Sequence, residues 1–322
     1  MNWRVRPNFA IGSSASTAES CNTHNMLKLT VQLFERKPSA EYADYFERAL
    51  YNHLLATMDP DSGAMTYFMP LYGNFKTYLD GTFCGTGTGI ENPPRYNEGI
   101  YFQQGNSLWV NLYIPSELDW REAGVVIRQE GDITRGEPVR FTVVKAGTQS
   151  ASLNFRIPRW ISGRAFLALN GKAQQSAGKP STYITLDRKW KKGDVVTLTL
   201  PASLRLEHAK DNPVMVSVFF GPVLLAGELG RENMPKDFAG NGTNLKVPAV
   251  PVPEIARSSM KPADWLRPLK GSPLAFTAHD AGPADGIAFR PLYEIHHERY
   301  SVYWRLRGDS TGVNPVKAND QK

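Results

Sequence analysis

Three side chains in this chain of 322 residues have the types and spacing for metal or nucleophilic chemistry: Glu19, Cys21 and Cys84. Glu19-Ser20-Cys21 sets a carboxylate and a thiol two residues apart at the mouth of a helical pattern. Cys84 heads the run Cys84-Gly85-Thr86-Gly87-Thr88-Gly89, read as a glycine-rich loop whose backbone can bend close to a bound group. Zinc accepts thiolate and carboxylate and usually takes four ligands, of which three are in view. Glu-x-Cys with one distant cysteine is no standard zinc signature. On residue types alone, two unrelated free thiols, or a disulfide in an oxidising compartment, stay open beside a metal site.

Other candidates surround these three. Glu91 follows the glycine run and either stands near Cys84 or fixes the start of the next helix. His24 lies one turn beyond Cys21 and is read as a further ligand or as a polar group on the helix face. His296 and His297 are read on a β-strand, where only one of two neighbours faces inward, with a structural role.

The elements that must position these residues change character near residue 100. Between Thr17 and Thr57 apolar residues recur at helical spacing: Met26, Leu27, Val31 and Phe34, then, after Pro38, Tyr42, Tyr45, Phe46, Leu50 and Leu54. Two amphipathic helices follow, with Pro38 as the break and Ser39 as the N-cap of the second. Pro60-Asp61-Ser62-Gly63 reads as a turn leading into a hairpin strand from Ala64 to Leu71.

Beyond Gly99 the period falls from 3.6 to 2. Short β-type runs recur from Ile100 to Leu225, separated by turns such as Asn170-Gly171 and Lys192-Gly193-Asp194, which is the pattern of an antiparallel sandwich. A proline-rich crossing segment spans 231–262. A last strand pair is expected near Leu274–Thr277 and Tyr300–Leu306, and a polar, frayed tail after Gly308. The domain reading is therefore a partial helical domain over 1–100, a β-sandwich over 101–230, and crossing segment, terminal strands and tail over 231–322. The fold class is mixed and mainly β.

Composition limits the function classes. With 41% hydrophobic and 21% charged residues the chain is neither disordered nor a small disulfide scaffold. The net charge of +6 raises nucleic acid as a partner, but Lys and Arg are interleaved with Asp and Glu rather than gathered in a stripe, so none is expected. No apolar run approaches the roughly 18 residues of a membrane span. The basic opening Met1-Asn2-Trp3-Arg4 has no apolar segment behind it and does not read as a secretory signal. The compartment stays unassigned.

The segments Ala18-Glu19-Ser20-Cys21-Asn22, Tyr42–Asn52 and Phe83–Asn92, with Leu153–Trp160, Arg188–Asp194 and Ile295–Trp304 after them, resemble in order the β-L-arabinofuranosidases of glycoside hydrolase family 127 and its sister family 146. The resemblance runs from about Thr17 to Leu306. It implies the C-terminal remnant of an (α/α)6 barrel followed by β-sandwich domains, and a retaining glycosidase acting on arabinose-containing plant glycans. The family's site holds zinc through one Glu and three Cys, and one of these cysteines attacks the anomeric carbon. By position Glu19 and Cys21 match the first two ligands. Cys84 matches the nucleophile, first of an adjacent Cys-Cys pair, and Tyr67 matches a strand beside the substrate pocket, where a packed core tyrosine is the other reading.

Two positions depart from that pattern. The second cysteine of the pair is Gly85, which removes one metal ligand, and no acidic residue precedes Glu19 where the family carries its acid/base glutamate. No general acid is therefore visible, and the zinc site is expected to be weakened or lost. The function expected is a catalytically incomplete glycosidase chain with an oligo- or polysaccharide partner. Its alternative is a non-catalytic sugar-binding or structural module. The apolar helix faces also call for further helices to cover them, supplied by a barrel segment on another polypeptide.

Overall fold

A computed structural model describes residues 18–78, 81, 83–174, 178–234, 248–256 and 261–307. The expectations for the N-terminal segment before Ala18, for much of the crossing segment and for the tail lie outside these residues.

The helical part consists of α1 (Ser20–Arg36), α2 (Ala40–Asn52) and α3 (Cys84–Glu91). Pro38 breaks the chain between the first two, and the Ser39 hydroxyl accepts from the Glu41 amide as the expected N-cap. The buried faces are rotated from the expected ones. Helix α1 buries Cys21, His24, Leu27, Thr30 and Phe34 and leaves Met26 exposed; α2 buries Ala43, Phe46, Glu47 and Leu50 and leaves Tyr45 exposed. On α2 hydrophobicity alone misplaces the stripe because Glu47 is drawn inward by a buried arginine described below. Leu27, Phe46, Leu50, Leu54, Ile100 and Leu112 form the core of this part.

The expected hairpin strand shrinks to a Met58–Met65 bridge and a two-residue strand. Ala18–Glu19 (β1) pairs antiparallel with Phe68–Met69 (β2), matching Glu19 with Phe68.

Next come β3 (Tyr101–Gln104), β4 (Ser107–Val110), β5 (Ser116–Trp120), β6 (Val125–Glu130), β7 (Val139–Lys145), β8 (Ser150–Ile157), β9 (Phe166–Leu169), β10 (Lys172–Ala173), β11 (Thr182–Lys189) and β12 (Val195–Thr199). They form a six-stranded sheet in the order β10-β9-β12-β7-β6-β5 and a four-stranded sheet in the order β11-β8-β4-β3. One apolar core, including Trp120, Phe141, Phe155 and Trp190, draws on both sheets. Pairing is not wholly antiparallel, since β4 runs parallel to β8. β5 adds to the expected runs: its alternation is masked in sequence by Glu117 and Asp119 on its outer face.

The last sheet has nine strands: β13 (Leu204–Ala209), β14 (Asn212–Phe220), β15 (Val223–Gly230), β16 (Ile255–Ala256), β17 (Leu266–Pro268), β18 (Phe276–Ala278), β19 (Ala288–Pro291), β20 (Arg299–Ser301) and β21 (Trp304–Arg307). The run Val214–Leu225 is split by a turn into β14 and β15, which pair with one another. The expected last strand pair does not form. β18 pairs with β17 and β19 and β21 with β14 around a core that includes buried Trp265, Phe289 and Trp304, while β20 pairs with β15 and sends Tyr300 into a separate core with Phe219 and Leu292. No helix of the described residues is long and apolar enough to cross a membrane.

Candidate functional site

The glycine run is a helix, not the expected loop. Three glycines in eight residues disfavour helix by about 1 kcal/mol each relative to alanine, so packing must hold α3. Gly89 allows the close approach, since a Cβ there would lie 2.5 Å from the Met65 Cγ. The Thr88 hydroxyl, reaching across from α3, meets the Cys21 Sγ at 3.3 Å.

This packing places Cys84, the first residue of α3, beside the start of α1. The β1–β2 ladder delivers Glu19 to the same point from the other side. One carboxylate oxygen of Glu19 and the sulfurs of Cys21 and Cys84 all lie within 4.8 Å of one another. Cys21 is buried and Cys84 exposed, and both are free thiols. The Tyr67 hydroxyl stands 3.3 Å from the Cys84 Sγ. Burial pushes the Cys21 thiol up; Thr88 opposes this, while Cys84 and Glu19 add to it. The hydrogen bond to Cys84, then burial and Glu19, push the Tyr67 phenol well up.

Two thiols and a carboxylate at this spacing fit a divalent cation of zinc's character, whose bonds of roughly 2.0–2.3 Å leave ligand atoms roughly 3.5–3.8 Å apart around a tetrahedron. The same open sulfur, once deprotonated, is a nucleophile.

The remaining candidates lie elsewhere. His24 is buried with its Nδ1 2.7 Å from the Asn92 Oδ1 and its Nε2 3.2 Å from the Glu91 Oε2, so both ring nitrogens are engaged away from the sulfurs. Glu91 ends α3 rather than opening the next helix. It pairs with Lys28 at 3.0 Å, and with Arg95 one turn on at 3.8 Å, and the Lys28 hydrogen bond holds its carboxyl below the usual range. A shallow groove runs past His24, Lys28, Asn92 and Arg95, and its lining includes neither cysteine.

His296 and His297 are not on a strand: they lie in the bend before β20. His296 bonds the Tyr78 hydroxyl and the Tyr293 carbonyl, and burial lowers its pKa to about 4. His297 faces Asp59 at 3.0 Å and Asp61 at 3.6 Å, a second group with metal-compatible spacing. Asp59 already accepts from Ser62 and from the Asp61 amide, so this cluster has its own internal partners.

Residue types alone do not reveal the clasp that holds α2 to the first β unit. Arg156 of β8 is wholly buried and donates to Asp44 and Glu47, each at 2.5 Å, and to the Asn111 carbonyl at 2.6 Å. Glu47 also accepts from the Trp160 indole at 2.7 Å. On the next turn Asn52 accepts from the Leu224 amide and donates to the Pro222 carbonyl, tying α2 to β15 and the turn before it. The signal available in sequence was Asp44 and Glu47, three apart on an otherwise apolar helix face.

Family models place these features. Residues 4–98 match the catalytic domain of GH127 β-L-arabinofuranosidases, 107–202 match the GH127 middle domain, and 205–306 match a domain of unknown function. A non-reducing end β-L-arabinofuranosidase of Bifidobacterium longum subsp. longum is 22% identical over 248 residues, taking in 65% of this chain and 35% of the relative. A glycoside hydrolase structure superposes with a TM-score of 0.71 at 21% identity, covering 91% of this chain and 54% of the other. The GH127 β-L-arabinofuranosidase from Geobacillus stearothermophilus T6 gives 0.69 at 21%, covering 92% and 51%. These likenesses establish a shared fold, and the chain spans about half the length of the solved structures and about a third of the curated relative. With its helical part and its first β unit matched in order by the catalytic and middle domain models, the chain belongs to glycoside hydrolase family 127.

Proposed function

We propose that this chain carries the C-terminal part of a retaining β-L-arabinofuranosidase, with Cys84 as nucleophile and Glu19, Cys21 and Cys84 as donors to zinc. The observation that carries this reading is the meeting of Glu19 and Cys21 with Cys84 within 4.8 Å, on two segments that sequence leaves far apart. On this reading residues 18–100 are a remnant of an (α/α)6 barrel. The two sheets of 101–199 are its sandwich, and a second β unit begins near Leu204, earlier than the boundary at 230.

Bound zinc would keep the Cys84 sulfur as a thiolate at neutral pH. The chain's own residues then do the following. Thr88 holds Cys21 in place, and Cys84 at the open end of α3 meets the sugar. The Cys84 sulfur bonds the anomeric carbon as the bond to the leaving oxygen breaks, and water later displaces the sulfur with net retention of configuration. The leaving oxygen needs a proton. Glu91 is committed to Lys28, His24 and Arg95, so the acid is assigned to a part of the barrel outside the described residues, which would also cover exposed Met26 and Leu29.

The test is hydrolysis of a nitrophenyl β-L-arabinofuranoside, whose stable phenolate leaves without a general acid, by the reduced, zinc-supplied protein and by Cys84→Ala. The expected result is turnover in the wild type that the variant loses by more than about a thousandfold, the scale set by removing a nucleophile. Gly85, in place of a third sulfur, favours a second reading, a sugar-binding or structural module. A folded wild type that binds arabinosides without turnover selects that reading and sinks the first.

A further inference from the structure

Gly85 and Tyr67 occupy one another's space. A Cβ built on Gly85 would lie 2.7 Å from the Tyr67 Cδ2, closer than Cβ atoms approach other atoms in proteins, and a tight 3.3 Å from its Cε2. The tyrosine ring therefore fills the volume that any side chain at 85 would need. The same ring carries its hydroxyl to 3.3 Å from the Cys84 Sγ, and Glu19 acts on that phenol as well.

The ring is held there by its neighbours. Phe68 pairs with Glu19 in the β1–β2 ladder, and its ring packs edge-on against Tyr67 at 4.5 Å between centroids. One residue earlier, the buried Thr66 hydroxyl donates to the Thr77 carbonyl at 3.1 Å. Tyr67 is thus fixed from both sides with its oxygen directed at the cluster.

Tetrahedral zinc with sulfur at roughly 2.3 Å and oxygen at roughly 2.1 Å sets its donors roughly 3.6 Å apart. The phenol oxygen lies close to that separation from Cys84, and the other three donors lie within 4.8 Å of one another. From this geometry, and resting on the metal reading above, we infer that the Tyr67 phenol oxygen is the fourth protein donor of the site, taking the corner that no side chain at 85 supplies. On coordination the phenol proton passes to solvent. The donor set becomes one carboxylate, two thiolates and one phenolate, and its formal charge matches that of one carboxylate with three thiolates. The exchange of a soft donor for a hard one leaves Cys84 with one thiolate neighbour fewer.

The experiment is a zinc titration of the whole reduced chain against a chromophoric chelator, with near-ultraviolet difference spectra recorded on the same samples. Tyr67→Phe keeps the ring, and with it the contact to Gly85, so its fold is checked by circular dichroism and expected to be unchanged. The wild type is expected to bind one zinc with a tyrosinate difference band. Tyr67→Phe loses the band and more than about tenfold in affinity, the lower end for loss of a group supporting a metal site. Gly85→Cys with Tyr67→Ala supplies a third sulfur and frees the space, and is expected to regain the affinity without the band. Zinc bound by Tyr67→Phe as tightly as by the wild type overturns the inference and leaves the three-donor site standing. A wild type that binds no zinc overturns both.

Discussion

Arg156→Met should be among the most damaging single changes outside the cysteine site, and the clasp geometry sets its size. Arg156 has no exposed surface, and Glu47 is 2% exposed. Burial pushes the Glu47 carboxyl up, and Arg156 opposes this. Removing the guanidinium leaves Glu47 buried with only the Trp160 indole as donor, and breaking such a pair from one side costs about 3–5 kcal/mol. Asp44, at 12% exposed, keeps Ser181 and the Arg159 amide and loses less.

The double variant Arg156→Met/Glu47→Gln removes both charges together and should be more stable than Arg156→Met alone, with a coupling of about 1–3 kcal/mol. A second signature follows from the sign of the linkage. Without Arg156 the native-state carboxyl of Glu47 lies still further above its unfolded value. Its proton stabilises the fold below the unfolded pKa, and that contribution is lost as pH rises. The deficit of Arg156→Met should therefore shrink between pH 7 and pH 5. Urea unfolding followed by circular dichroism at both values measures it. A cost below about 1 kcal/mol, or a deficit that does not change with pH, refutes the reasoning.

Two further predictions concern the packing behind the site. Lys76 is fully buried with its Nζ on the Leu292 carbonyl, and burial lowers its pKa to about 7. The unfolded chain then holds a proton that the native state lacks above pH 7. Stability contributed by Lys76 therefore rises with pH and is lost as pH falls toward 7. The wild type should gain about 2–3 kcal/mol on Lys76→Met between pH 7 and 9.5, and a flat difference in paired urea titrations would argue against this. Asn52→Ala strands the buried Leu224 amide and should cost about 1–3 kcal/mol; Asn52→Asp, which retains the acceptor, should lose less in the same assay.

The sequence by itself determined a good deal here. The 3.6-residue period around Pro38 and Ser39 specified α1 and α2, and the period of two specified most strands of the first β unit. Both patterns are local, because side-chain direction follows backbone geometry. The chemistry of Glu19-Ser20-Cys21 was also legible, since a carboxylate and a thiol two residues apart are a property of the chain itself.

Other features depended on contacts that the chain makes with distant parts of itself. The glycine run around Thr88 looks like a loop because glycine disfavours helix in isolation. It becomes α3 through packing on Met65 and on Cys21, 67 positions away from Thr88. Glu47 looks like a surface charge on α2 until Arg156, 109 positions on, is brought against it. His296 and His297 leave their expected strand because Tyr78, Asp59 and Asp61 offer the bend better polar partners. Gly85 alone reads as a lost ligand, and only the fold brings Tyr67 into the space it leaves. Sequence decides which groups are present and how near neighbours along the chain are displayed. Which charges lose water together, and which sulfur meets which oxygen, is set by tertiary packing, because those energies depend on distances between segments.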